Sequence, residues 1–241
     1  MKGSLTLETT VAYADVDRGE MMLLARWFKL LQEAAILHAN QYGAGTNAVA
    51  TRSETWVLNR IATEIARYPR AGEKLVVETW STGIRSFKGY RDFRVFDHDH
   101  RQILTGSSFW IYLNAATKTI VRVPRDIAES FPVGAEPPWR PDLEQAEVEP
   151  PSSAAAVVPI TLRYSDHDVN EHMNNAAYLD LIQTALAASG ASPHPRSVNV
   201  HYRKAIPAAL DRVDLRVDTA GGITRLEVQR DGRVFASAQT G

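Results

Sequence analysis

The chain has 241 residues, 44% of them hydrophobic and 23% charged, a globular composition long enough for one large domain or two small ones. Its 27 basic and 28 acidic side chains leave a net charge of -1, which excludes a global electrostatic drive toward nucleic acid or an anionic membrane. No cysteine is present, so disulfides, thiolate metal sites and a cysteine nucleophile are excluded. The N-terminal stretch MKGSLTLETT lacks the apolar core of a signal peptide, and no apolar run nears the roughly 20 residues of a membrane span. The expectation is a soluble, cytoplasmic protein.

In chain order, a short extended lead-in from Tyr13 is followed by an amphipathic helix whose apolar stripe is Leu24, Phe28, Leu31 and Ala35. The period then changes from helical to two, predicting strands over 55–66, 74–81, 88–97, 102–113 and 118–123. Seven of the 12 prolines and the acids Asp142, Glu144, Glu147 and Glu149 fall within or beside 132–159, a composition that reads as a linker between a module of residues 1–131 and one of 160–241. The second module predicts a helix ending at Gly190 and strands over 197–204, 212–219, 223–230 and 233–239. One helix followed by several antiparallel strands is an α+β module, and such strands bury one face by wrapping around the helix.

The two modules are copies. A shift of 151 residues lays Tyr13–Ala35 on Tyr164–Leu186 without a gap, with nine of 23 positions identical, among them Asp17/Asp168, Met22/Met173 and Gln32/Gln183. Where they differ, Gly19 becomes Asn170, Met21 becomes His172, and Leu23-Leu24 becomes Asn174-Asn175. In an extended segment, Asp168, Asn170 and His172 alternate onto one face, directly before a helix N-terminus whose free N–H groups suit a developing oxyanion. Capping is the other reading of Asp168, Asn170 and Asn174. The first copy starts the same helix without the asparagines, which weighs against it.

The string Asp168-Val169-Asn170-Glu171-His172-Met173-Asn174-Asn175-x-x-Tyr178 resembles the active-site signature of the acyl-acyl carrier protein thioesterases of bacteria and plant plastids. Trp56-Val57-Leu58-x-Arg60, Glu64-Ile65-x-x-Tyr68-Pro69, Thr79-Trp80, Phe87, Arg91-Asp92-Phe93 and Ser108-x-Trp110 are similar to that family as well. The resemblance implies a tandem hotdog fold, with each antiparallel sheet wrapped around a long central helix and the acyl chain housed in the first hotdog. It also implies Asp168, Asn170 and His172 as catalytic residues, and hydrolysis of fatty acyl thioesters delivered by acyl carrier protein on its phosphopantetheine arm. One departure is plain. Plant members carry a glutamate in a Tyr-Arg-Arg-Glu-type run, and Ala205 stands there in Tyr202-Arg203-Lys204-Ala205-Ile206.

No Gly-x-Ser-x-Gly elbow is present, so attack by water is the mechanism with residues to support it. Asp168 would orient or deprotonate the water, His172 would share the acid/base work, and Asn170 would position water or carbonyl. The backbone at Asn174-Asn175 would face the oxyanion. His201 shares strand parity with Arg203 and Ala205; structural filling is its first reading and replacement of the missing acid the other. No cofactor is called for, and Asp97-His98-Asp99-His100 reads as a solvated hairpin tip rather than a metal site. Residues 52–125 hold 13 Lys/Arg against 7 Asp/Glu, so Arg60, Arg67, Arg70, Arg85, Lys88, Arg91 and Arg94 are candidates for receiving an acidic carrier protein. An acyl-coenzyme A donor, a non-catalytic acyl-binding module and a homodimer formed through sheet edges stay open.

Overall fold

A computed structural model describes residues 3–45, 51–169 and 171–241. Ten strands form one antiparallel sheet: β1 (Ser4–Thr10), β2 (Glu54–Ile65), β3 (Lys74–Arg85), β4 (Lys88–Phe96), β5 (Gln102–Asn114), β6 (Ala156–Thr161), β7 (Ser197–Tyr202), β8 (Arg212–Ala220), β9 (Ile223–Arg230) and β10 (Arg233–Thr240). Their order is β1-β3-β4-β5-β2-β7-β10-β9-β8-β6. Each half repeats the other's topology, and β2 and β7 meet in the middle with Arg60 opposite His201 and Ile61 opposite Val200. Two helices lie inside the curved sheet, α1 (Leu24–Asn40) and, in the second copy, α3 (Ala177–Ser189); the short α2 (Arg125–Ser130) follows β5. This is the tandem hotdog expected.

The apolar stripe explains why the sheet curls. Leu24, Trp27, Phe28, Leu31, Ala34 and Ala35 of α1 join Leu179, Ile182, Ala185 and Leu186 of α3 in one buried cluster with Leu58, Ile61, Val198 and Val200 of the central strands. Burying each large side chain stabilises by about 1.5–3 kcal/mol, and only strands that bend around both helices can do so. The helix ends follow local chemistry. Gly190 takes φ 80° to end α3, as its missing Cβ allows. The α1 N-terminus has no side-chain cap of its own; the Leu24 N–H donates instead to Oε1 of Gln183, on α3, at 3.1 Å.

Three expectations need correction. The stretch 118–123 is not a strand: a single bridge joins Ile120 to Leu113, because the chain turns back only briefly before α2. Two strands, β1 and β6, were not foreseen. Both are short edge strands with one partner each, and neither has a fully buried position to mark its inward face. The proline-rich stretch 132–159 is not free of the modules either, because β6 begins at Ala156. Upstream of it, Leu143 packs with Ala62 and Phe109, and the Trp139 N–H donates to Asp92 at 2.7 Å. The segment straps the outer face of the first half-sheet.

Candidate functional site

The lead-in to each helix is a tight turn, and its geometry is the same in both copies. In the first, the Asp17 N–H donates to the Met21 carbonyl and the Leu23 N–H to the Asp15 carbonyl, both at 2.9 Å. In the second, Asp168 pairs in this way with His172 and Asn174 with Asp166, again both at 2.9 Å. Glu20 (φ 63°) and Glu171 (φ 58°) take the left-handed conformation at matching positions. The expectation of an extended, alternating Asp168–His172 face is therefore corrected. A turn with one left-handed residue brings 168 and 172 together as cross-turn neighbours, which alternation along a strand would not do.

The two copies part company at the carboxylates. Asp17 accepts the N–H groups of Gly19 at 2.8 Å and Met21 at 3.1 Å, and its Oδ2 lies 2.8 Å from Nε2 of His194. Burial opposes ionisation of Asp17, but those two N–H groups and His194 outweigh it and hold the acid below its ordinary value. Tyr68, stacked edge-on against His194 with ring centroids 5.0 Å apart, closes the place further. Asp168 instead lines a cavity of about 510 Å³, within the usual size of ligand pockets. Residues 190–196, between α3 and β7, bring His194 onto Asp17, whereas Ala44 and Gly45, after α1, line the cavity together with Asp168.

Asp168, Val169, Asn174 and Asn175 of the second module form one end of that cavity, and the first module forms the rest. Ala35, Ile36 and Ala39 of α1, Trp56 of β2, Ile84 of β3, Trp110 of β5 and Phe131 make its walls largely apolar. Arg91 also lines it. The Arg91 guanidinium pairs with His38 Nδ1 at 3.0 Å and donates to Thr79 at 2.9 Å. Burial first, and Arg91 second, pull the His38 imidazole down to about 4, so His38 stands neutral beside this cation near pH 7.

The sequence candidates fare differently. Asn170 lies outside the described residues. His172 is half-buried and faces Pro207 across an isolated bridge; it is not among the residues that line the cavity. Asn174 caps: its Oδ1 accepts the Ala176 N–H, 2.9 Å away, and its carbonyl accepts the Ala177 N–H, also 2.9 Å away. Asn174 thus makes capping hydrogen bonds and also lines the cavity. His201 is no substitute for the missing acid. Its neighbours Val200 and Tyr202 point into the core, so His201 faces outward with Arg60 and Arg203, and β7 ends before Ala205.

The basic candidates divide as well. Arg91 is corrected: it is 7% exposed and faces α1, so it cannot meet a carrier protein. Lys88 pairs with Glu144, Arg94 with Glu136, and Arg60 donates to the Ala146 carbonyl; all three hold the strap. Arg67 is shared between Glu73 and Asp97. Arg70, paired with Glu20 at 2.5 Å, and Arg85 are exposed. At the hairpin tip, Asp97 accepts the N–H groups of Asp99 and Arg101, both at 3.0 Å, and no cluster of metal-ligating side chains occurs among the described residues.

Sequence reasoning missed the supports of the motif. The Tyr202 hydroxyl donates to the Asn175 carbonyl at 2.9 Å. The Tyr178 hydroxyl donates to the Lys204 carbonyl at 3.3 Å and accepts the Ile206 N–H at 3.2 Å. The Ile206 carbonyl then accepts the Met173 N–H. Burial pushes both phenols above their ordinary range, so they stay hydroxyl donors. Their signal in the sequence was only two tyrosines at apolar positions.

Comparison with known proteins agrees with this geometry. The acyl-ACP thioesterase N-terminal domain matches residues 4–131 and the C-terminal domain of the same family matches residues 150–240. A dodecanoyl-[acyl-carrier-protein] hydrolase of Cinnamomum camphora chloroplasts is 29% identical over 208 residues, covering 80% of this chain and 53% of that protein. A palmitoyl-acyl carrier protein thioesterase of Gossypium hirsutum chloroplasts is 27% identical over 186 residues, covering 72% and 45%. The chain thus spans about half the length of the curated relatives it matches. Among solved structures, an acyl-ACP thioesterase from Bacteroides thetaiotaomicron superposes with a TM-score of 0.83 at 22% identity, covering 99% of this chain and 97% of that one. A 12:0-ACP thioesterase from Umbellularia californica gives 0.83 at 20% identity, covering 100% and 97%. With both of its domains matched in order and the motif turn beside an apolar cavity, the chain belongs to the acyl-ACP thioesterase family.

Proposed function

We propose that the protein hydrolyses fatty acyl thioesters carried by acyl carrier protein, releasing the free fatty acid. The observation that carries this reading is the composite cavity, with Asp168 and Asn174-Asn175 at one end and an apolar wall from the other module along its length. An acyl chain lies against that wall while its thioester rests at the polar end. Asp168 orients a water molecule, and the water oxygen bonds to the carbonyl carbon as its proton passes to Asp168 or His172. Collapse of the tetrahedral intermediate breaks the C–S bond, and the group that took the proton returns it to the leaving thiolate of the phosphopantetheine arm. Asn170 positions water or carbonyl. No covalent acyl-enzyme and no cofactor enter.

No helix among the described residues is long and apolar enough to cross a membrane, and the proposal places the protein in the cytoplasm, without nucleic acid or membrane as partner. Ala205, where plant relatives carry a glutamate, favours a second reading: an acyl-binding module that does not turn over. The test is hydrolysis of acyl thioesters of graded chain length, linked to carrier protein or to coenzyme A, by the wild type, His172→Ala and Asp168→Asn. Turnover that prefers the carrier protein, weakens with salt, and falls about 10²–10⁴-fold in each variant supports the proposal. Preference for coenzyme A replaces the partner, and no wild-type turnover on any donor leaves the binding module.

A further inference from the structure

Gln32 and Gln183 are the same residue of the repeat, yet their amides meet different surroundings. Gln183 reaches from α3 to the start of α1, where its Oε1 accepts the Leu24 N–H at 3.1 Å, while its Nε2 donates to the Pro193 carbonyl at 2.9 Å. It is buried and structural. The equivalent relation places Gln32 of α1 beside the start of α3, where Asn175 takes the place of Leu24. None of the described residues hydrogen-bonds the Gln32 amide, and none accepts the Asn175 N–H. Asn174 satisfies only the next two donors, Ala176 and Ala177.

The open amide is also in a telling place. Gln32 lines the 510 Å³ cavity together with Asn174 and Asn175. It also lines, again with Asn174, a second groove of about 440 Å³ that runs along α1 past Lys29, Arg26 and Met22. Gln32 and Asn174 are therefore the residues that the two spaces share. An acyl chain in the first and a pantetheine arm in the second put the thioester at these shared residues.

We propose that Gln32 is a catalytic donor contributed by the first module. Its side-chain N–H and the Asn175 backbone N–H hold the thioester carbonyl oxygen as negative charge develops on it. The duplication thereby turned one pair of equivalent glutamines to two tasks: Gln183 caps a helix, and Gln32, with no cap to serve, receives the substrate. This rests on the thioesterase reading for its substrate.

The test compares wild type with Gln32→Met, which keeps the volume and removes the amide, Gln32→Ala, and Gln183→Ala. On the acyl-carrier protein that wild type hydrolyses fastest, both Gln32 variants are expected to lose roughly 30–300-fold in kcat, with KM within about threefold and Tm within about 2 °C. Gln183→Ala is expected to do the reverse, lowering Tm by about 2–4 °C and leaving kcat within about threefold. Binding supplies a readout that needs no turnover. A phosphopantetheine acyl ketone, in which a methylene replaces sulfur and the carbonyl remains, is compared with the thioether that lacks the carbonyl. Wild type should prefer the ketone about tenfold, and Gln32→Met should bind the two alike. Unchanged kcat in the Gln32 variants, or the same ketone preference in wild type and Gln32→Met, overturns the proposal. If wild type hydrolyses nothing, the thioesterase reading falls alone, and the ketone comparison still decides the role of Gln32.

Discussion

Oδ2 of Asp17 lies 2.8 Å from Nε2 of His194, a pairing that stoppers the first copy of the motif with a residue of the second module. Asp168, at the matching position, lines the open cavity instead. Of two carboxylates at matching positions of the repeat, one is paired with the other module and one faces a cavity.

The Asp17–His194 pair should matter to stability and not to turnover. Asp17→Asn and His194→Ala are each expected to lower the unfolding free energy by about 1 kcal/mol at pH 7 and leave kcat unchanged. The Asp17 acid is depressed in the folded chain. Its contribution is therefore present above the ordinary carboxylate pKa and is lost as pH falls through the folded value. Chemical denaturation of wild type and Asp17→Asn at stepped pH checks this: the gap between them should close as the pH drops below about 4.

A bulkier wall should shorten the accepted acyl chain. Ala39 on α1 lies in the cavity lining with Trp56 and Phe131, so Ala39→Phe fills the apolar end without touching Asp168. Competition between long and short acyl thioesters is the measurement. The expected change is roughly 10–200-fold in relative kcat/KM toward the shorter chain for each methylene excluded. An unaltered preference would place the chain elsewhere.

His38 should make the protein acid-labile. Its imidazole, at about 4 in the folded chain against an ordinary value near 6.5, stays neutral while the unfolded chain takes up a proton. Stability present above pH 6.5 is consequently lost as pH falls toward 4, by about 2–3 kcal/mol. His38→Gln should flatten that slope in a pH series of denaturation midpoints. His201, also pulled down to about 4 by burial and then by Arg60 and Arg203, should leave a residual slope.

The strap should loosen when its cations are removed. Lys88→Ala with Arg94→Ala breaks the contacts to Glu144 and Glu136. Hydrogen exchange over 134–148 should quicken by about 10-fold, while KM for the acyl-carrier protein should hold. A raised KM that falls back at low salt would instead return both residues to the carrier-docking face.

The fold was largely legible because its determinants are local or repeated. The helical stripe Leu24, Phe28, Leu31 and Ala35 and the period-two strands are written in adjacent residues, and the 151-residue shift reports the duplication without any coordinates. The edge strands β1 and β6 were not legible, since they are short and neither has a fully buried position to mark its inward face. Nor were the duties of the cations, because pairing between Lys88 and Glu144 depends on where a strap of some two dozen residues comes to rest.

By itself the sequence determined the two modules, the Asp168–Asn175 motif and its difference from Tyr13–Leu24, since identity and spacing along the chain are all these require. Only the tertiary structure decided which copy is open. That choice lies in long-range contacts: His194 on Asp17 across the modules, and Gln183 on Leu24 but nothing described on Gln32. Such contacts form between residues about 160–180 positions apart, where packing geometry, not local preference, sets which groups meet.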